Sequence, residues 1–145
     1  MAITDPWQAL LAVQRALDAT ELKASPQLFG NRSDPSSILH RQYRINPIGD
    51  ANTDKFRDRS GTFLRSAEAV TLHLSHEMRP IDSFESYRLA AMDRAAVIDA
   101  VVTRLAANAD ARTAYLGCSV RQAGNWIEQD LRISIEYDLA LSAAS

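Results

Sequence analysis

The chain has 145 residues, of which 46% are hydrophobic and 23% charged, with five Gly, five Pro and a single Cys. That profile predicts one globular domain over 1–145 and excludes collagen, disulfide-stapled miniproteins and wholly disordered chains. Sixteen basic and eighteen acidic side chains nearly cancel to a formal charge of -2, which argues against a general binder of nucleic acid or of an anionic membrane.

The N-terminal run Met1-Ala2-Ile3-Thr4-Asp5-Pro6-Trp7 has neither the basic start nor the apolar stretch of a signal peptide. No apolar segment approaches the ~20 residues that span a bilayer, so a soluble chain is expected. Cys118 has no second Cys to pair with, and it reads as a small buried thiol in a reducing setting.

In chain order, the first expected element is a helix beginning at Thr4. Its hydroxyl would cap free backbone N–H groups, Asp5 suits the positive helix end, and Pro6 sacrifices no hydrogen bond. Trp7, Leu10, Leu11, Gln14 and Leu17 recur at steps of three and four, and the stripe they form is expected to bury while Gln8, Arg15 and Asp18 stay wet. From Ala24 to Ser37 the chain carries Pro26, Gly30, Asn31, Asp34 and Pro35, which break both regular periods and predict a loop. A short strand over Ile38–Ile45 follows.

Residues 49–65 form a charged arm or long hairpin. Asp50, Asp54 and Asp58 stand against Lys55, Arg57, Arg59 and Arg65, with Phe56 and Phe63 as aromatic anchors. The basic excess of the chain is confined to residues 41–65, which carry a net +3. A solvated arm is the plain meaning of such a stretch, and an arm that orders against another subunit is the sharper one.

Beyond the arm, Val70, Leu72, Leu74 and Met78 alternate with Thr71, His73, Ser75 and Glu77, the period of a half-buried strand. Pro80 ends it, and Asp82 with Glu85 has the spacing of a capping box that starts a long helix. Along that helix the stripe Tyr87, Ala91, Ala95, Ile98, Val101, Val102 and Leu105 is expected to face the core, with Arg88, Asp93, Arg94, Asp99 and Arg104 outside it or at its margin. The helix exit falls at Asn108–Arg112, a short strand at Tyr115–Gln122 and a turn at Gly124-Asn125. The clearest strand is the last, where Leu131, Ile133, Ile135, Tyr137, Leu139 and Leu141 alternate with Arg132, Ser134, Glu136 and Asp138. The sum is an α+β fold: a mostly antiparallel four-stranded sheet with two helices packed on one face and an extended charged arm.

Chemistry-bearing motifs are sparse. His73-Leu74-Ser75-His76-Glu77 matches neither H-E-x-x-H nor H-x-x-E-H, and positions three apart on a strand point to opposite faces, so the two histidines are expected in solvent or at an interface rather than on one metal. An approach of His40 to His73 across strands depends on tertiary pairing that the sequence does not establish. No G-x-S-x-G elbow, Walker loop or G-x-G-x-x-G occurs. The pairs Asp93 with Asp99 and Glu136 with Asp138 read as solvated faces rather than acid/base pairs. No catalytic, cofactor-binding or metal residue is assigned, no cofactor is expected, and the chain is read as not an enzyme. Arg outnumbers Lys fourteen to two, which suits a contact surface and equally suits codon bias.

The order of elements carries a resemblance. An N-terminal amphipathic helix, the arm Thr53-Asp54-Lys55-Phe56-Arg57-Asp58-Arg59-Ser60-Gly61, the strand Ala69-Val70-Thr71-Leu72-His73-Leu74-Ser75-His76, an Ala-rich helix and the strand Arg132-Ile133-Ser134-Ile135-Glu136-Tyr137-Asp138-Leu139 together resemble tail terminator and related neck proteins of tailed bacteriophages. That resemblance implies a virion protein made in the bacterial host cytoplasm. It would assemble with itself as a ring, commonly hexameric, that caps the tail tube and joins it to the head connector. The residues read as candidates for the subunit or partner interface are Lys55, Phe56, Arg57, Arg59, Phe63 and Arg65. Glu136 and Asp138 are expected to line a lumen through which DNA passes without sticking. A head-completion or neck adaptor is the alternative, and a small metal-dependent enzyme or binding domain gathering His40, His73 and His76 is the second alternative.

Overall fold

The computed structural model describes residues 3–29, 40–52, 63–78, 83–106 and 111–141. Helix α1 (Pro6–Asp18) is followed by β1 (Lys23–Phe29), β2 (Gln42–Asn52), β3 (Phe63–Glu77), α2 (Ser83–Ala106), β4 (Arg112–Ala123) and β5 (Trp126–Ala140). The strands form one sheet in the order β1-β2-β3-β5-β4. All pairings are antiparallel except β1 with β2, which is parallel. The expected four-stranded sheet is therefore a five-stranded mixed one.

The additional strand is β1, which overlaps the stretch expected to be a loop. Its pairing with β2 holds at Lys23↔Gln42, Ala24↔Tyr43 and Phe29↔Ile45, with the register shifting in between. Pro26 falls in that irregular stretch at the edge of the sheet, where a missing N–H breaks no ladder. The strand expected at Ile38–Ile45 runs instead over Gln42–Asn52, and Ile38 lies outside the described residues.

Of the 49–65 stretch the described residues are 49–52 and 63–65, which belong to β2 and β3. Asp50, Ala51 and Asn52 of β2 pair with Glu68, Ala67 and Ser66 of β3. The centre of the sheet is β3 against β5, continuous from Phe63↔Ala140 to Glu77↔Trp126. Val70, Leu72 and Leu74 there stand opposite Ile133, Leu131 and Gln129, which places one apolar face of both strands under the helices.

Asp5 caps α1, its Oδ1 accepting from the Gln8 backbone N–H at 2.8 Å. The expected cap, Thr4, instead donates its hydroxyl and its backbone N–H to Gln8 Oε1, at 2.7 and 2.8 Å. The buried face of α1 is Ala9, Leu10, Val13, Ala16 and Leu17, a small rotation from the expected stripe. Trp7 lies outside it and stacks at a tilt on Phe29 of β1, ring centroids 5.6 Å apart.

In α2 the rotation has larger consequences. The face turned to the sheet is Ala90, Asp93, Val97, Val101 and Leu105. From the expected stripe only Val101 and Leu105 are buried, while Tyr87, Ala91, Ala95 and Val102 are exposed and Ile98 is half-buried. The start of α2 includes Glu85, which accepts from Arg88 Nε at 2.9 Å, and Asp82 lies outside the described residues. Both helices share one core with the sheet, built on Leu17, Tyr43, Ile45, Leu72, Val97, Leu131 and Ile135 among others. Burial of each such side chain contributes about 1.5–3 kcal/mol. No helix among the described residues is long and apolar enough to cross a membrane.

Candidate functional site

A buried carboxylate fixes how α2 sits. Asp93 is only 7% exposed, and it accepts from Arg41 Nε at 2.9 Å and Nη2 at 2.8 Å while its Oδ2 lies 2.7 Å from His76 Nε2. Arg41 stands before β2 with φ +60°, a left-handed backbone that costs an L residue about 1–2 kcal/mol, and it also reaches Glu21 at 3.0 Å. Burial pushes the Asp93 carboxyl up, but the hydrogen bonds from His76 and Arg41 outweigh it and hold its pKa down at about 2. The trio therefore fixes α2 against β3 and the segment leading into β2.

With α2 so placed, its outward face carries Phe84, Tyr87, Ala91, Ala95 and Val102 at helical spacing, all exposed. Phe84 is 78% exposed. Beside it runs β4, an edge strand with β5 as its single neighbour among the described residues, which exposes Tyr115, Leu116 and Val120. Helix and strand are tied where Arg94 Nη1 approaches Cys118 Sγ at 3.7 Å. Cys118 is half-buried rather than buried. An apolar helix stripe beside an unpaired strand edge is the surface a soluble chain normally covers.

The opposite face of the sheet carries no helix among the described residues and is polar. Arg44, His73, Asp130 and Ser119 follow one another across β2, β3, β5 and β4 at a single level of register. His73 Nδ1 lies 2.5 Å from Asp130 Oδ1, and Arg121 donates to Asp130 at 2.7 Å and reaches Glu128 at 2.8 Å. Burial pushes the Asp130 carboxyl up, yet its bonds to His73 and Arg121 leave it below the usual carboxylate range. His73 and His76 point to opposite sides of β3 as strand geometry requires, but neither is in solvent: each is buried against its own aspartate. His40 meets His76 rather than His73, ring centroids 6.0 Å apart, and its Nδ1 accepts from the Glu77 backbone N–H at 3.0 Å.

Of the expected interface residues, Lys55, Phe56, Arg57 and Arg59 lie outside the described residues. Phe63 opens β3, and Arg65 follows on the polar face. Arg65 is bound within the chain, its Nε donating to Glu136 at 2.8 Å and its Nη1 to Asp138 at 3.1 Å. Glu136 and Asp138 share the polar sheet face and together hold a guanidinium there, so they are not the simple solvated pair the alternation suggested.

Among the described residues, no group of three or more His, Cys, Asp or Glu side chains gathers so as to hold a metal. Sequence reasoning missed Asp93, because burying a carboxylate needs partners, and Arg41 and His76 are far away along the chain. It also missed the outward stripe of α2, having assigned those same residues to the core. No protein-family model matches the chain, and no curated protein matches it.

Proposed function

We propose that the protein is a structural subunit that assembles with copies of itself into a ring, in the manner of the tail terminators and neck proteins it resembles. Capping a tail tube and joining it to the head connector is association without turnover, and what it requires is a self-complementary surface and two distinct axial faces. The observation that carries the reading is the apolar face of α2 standing beside the open edge of β4. Phe84, Tyr87, Ala91, Ala95 and Val102 on the helix, with Tyr115, Leu116 and Val120 on the strand, form an apolar face with no cover within the described residues.

A neighbouring subunit would cover that surface from one side. Lys55, Phe56, Arg57, Arg59 and Phe63 would bridge to the other neighbour, with Arg65 held on the polar sheet face by Glu136 and Asp138. The ring would be hexameric, its lumen would pass DNA without sequence-specific contact, and the assembled protein would belong to the virion.

The test is co-sedimentation of the purified chain with phage tail tubes and, separately, with DNA-filled heads. Binding to tube ends supports the terminator role, and binding to heads alone transfers the protein to head completion. Binding to neither, together with a monomeric chain, rejects the proposal.

A further inference from the structure

The polar face of the sheet holds a cavity of about 370 Å³ lined by Arg44, His73, Ser119, Arg121, Asp130 and Arg132, among others. Arg44 is the unusual member. It is only 3% exposed, and its Nε and Nη1 are buried without a hydrogen-bond partner. A guanidinium carries five N–H donors and cannot shed its charge, so leaving the three on Nε and Nη1 unmet in a closed setting is costly.

The nearby carboxylates do not supply what Arg44 lacks. Asp130 is engaged by His73 and Arg121, and Glu128 by Arg121. On the far wall Arg132 donates from Nη1 to Ser119 Oγ at 3.1 Å. Its guanidinium lies over Gly117, where a Cβ would stand 2.8 Å from Arg132 Nη2. Three guanidinium groups thus surround one carboxylate in the lining, an excess of positive charge around an open space.

We infer that this cavity binds a small carboxylate anion, whose oxygens give Arg44 the acceptors it lacks while Ser119 and Arg132 hold the ligand from β4 and β5. A singly charged carboxylate suits it better than a phosphate dianion, because Asp130 and Glu128 stand in or beside the wall and repel a second negative charge. The site is independent of the surface proposed for ring assembly, which lies on the helix side of the sheet.

The experiment is thermal unfolding of the full chain in acetate, inorganic phosphate and chloride at matched ionic strength. Acetate at saturation is expected to raise Tm by about 3 °C over chloride, and phosphate by less. Arg44→Met fills similar space without the buried charge, and it should abolish the acetate response. Should that variant fail to fold, Nε–H resonances of arginine in the unaltered protein provide the second measurement: one slowly exchanging, buried Nε–H must shift during acetate titration. No acetate response in either measurement, an equal response in Arg44→Met, or a larger effect of phosphate than of acetate overturns the assignment.

Discussion

At the scale of single residues, the Arg41–Asp93–His76 trio makes the sharpest stability prediction. The Asp93 carboxyl ionises at about 2 in the folded chain, below the ordinary 3.8. A depressed carboxylate stabilises the fold fully above its unfolded pKa and loses that contribution as pH falls through the folded value. Urea unfolding should therefore weaken progressively from about pH 4 toward pH 2. Asp93→Asn should lose about 3 kcal/mol at pH 7, because it strips a buried histidine and a guanidinium of their common partner. It should also flatten part of the acid dependence, and an unchanged profile would show that Asp93 is not the group responsible. Gly117 offers an independent check. Its φ of +133°, a backbone that L side chains rarely adopt, predicts that Gly117→Ala costs about 1–3 kcal/mol in equilibrium unfolding. These residues were the least legible from sequence. Gly117 carries no turn signature, and a lone aspartate in a helix is ordinarily solvated, so its burial depends on partners that only the folded chain supplies.

Among the elements, the strands were readable where alternation is strong. Leu131, Ile133, Ile135 and Tyr137 are all buried, as their period of two requires. Helix α2 was readable as a helix but not in rotation, because small and apolar residues occupy two neighbouring stripes and the buried one contains Asp93. β1 was hidden by Pro26 and by its irregular edge pairing. The outward stripe of α2 gives a direct prediction. The double variant Ala95→Glu and Val102→Glu alters exposed positions, so monomer stability should change by no more than about 0.5 kcal/mol. If that face joins subunits, two buried unpaired charges per contact should abolish assembly, as read by light scattering on a size-exclusion column. Intact assembly in this variant removes α2 from the interface. Charge reversal at Arg57 and Arg59 tests the charged stretch in the same way: the chain should remain folded by circular dichroism while the oligomer weakens, and unchanged oligomer size rejects a bridging role for the arm.

For the whole molecule, the α+β class and the two helices could be read from chain order, because those follow from local periodicity. The order β1-β2-β3-β5-β4 could not, since which strands become neighbours is decided by pairings between residues distant in sequence, such as Val70 with Ile133. The resulting architecture is asymmetric. One side of the sheet is covered by helices, of which α2 carries an outward apolar stripe, and the other is a polar wall of arginines, histidine and carboxylates. That asymmetry suits a subunit that meets its own kind through one side and keeps the other hydrated. Native mass spectrometry of the purified chain across a concentration series tests this most directly. One closed species of six copies is expected, persisting on dilution and lost in the α2 double variant. A monomer at every concentration, with no complex formed on tail tubes or heads, would contradict it.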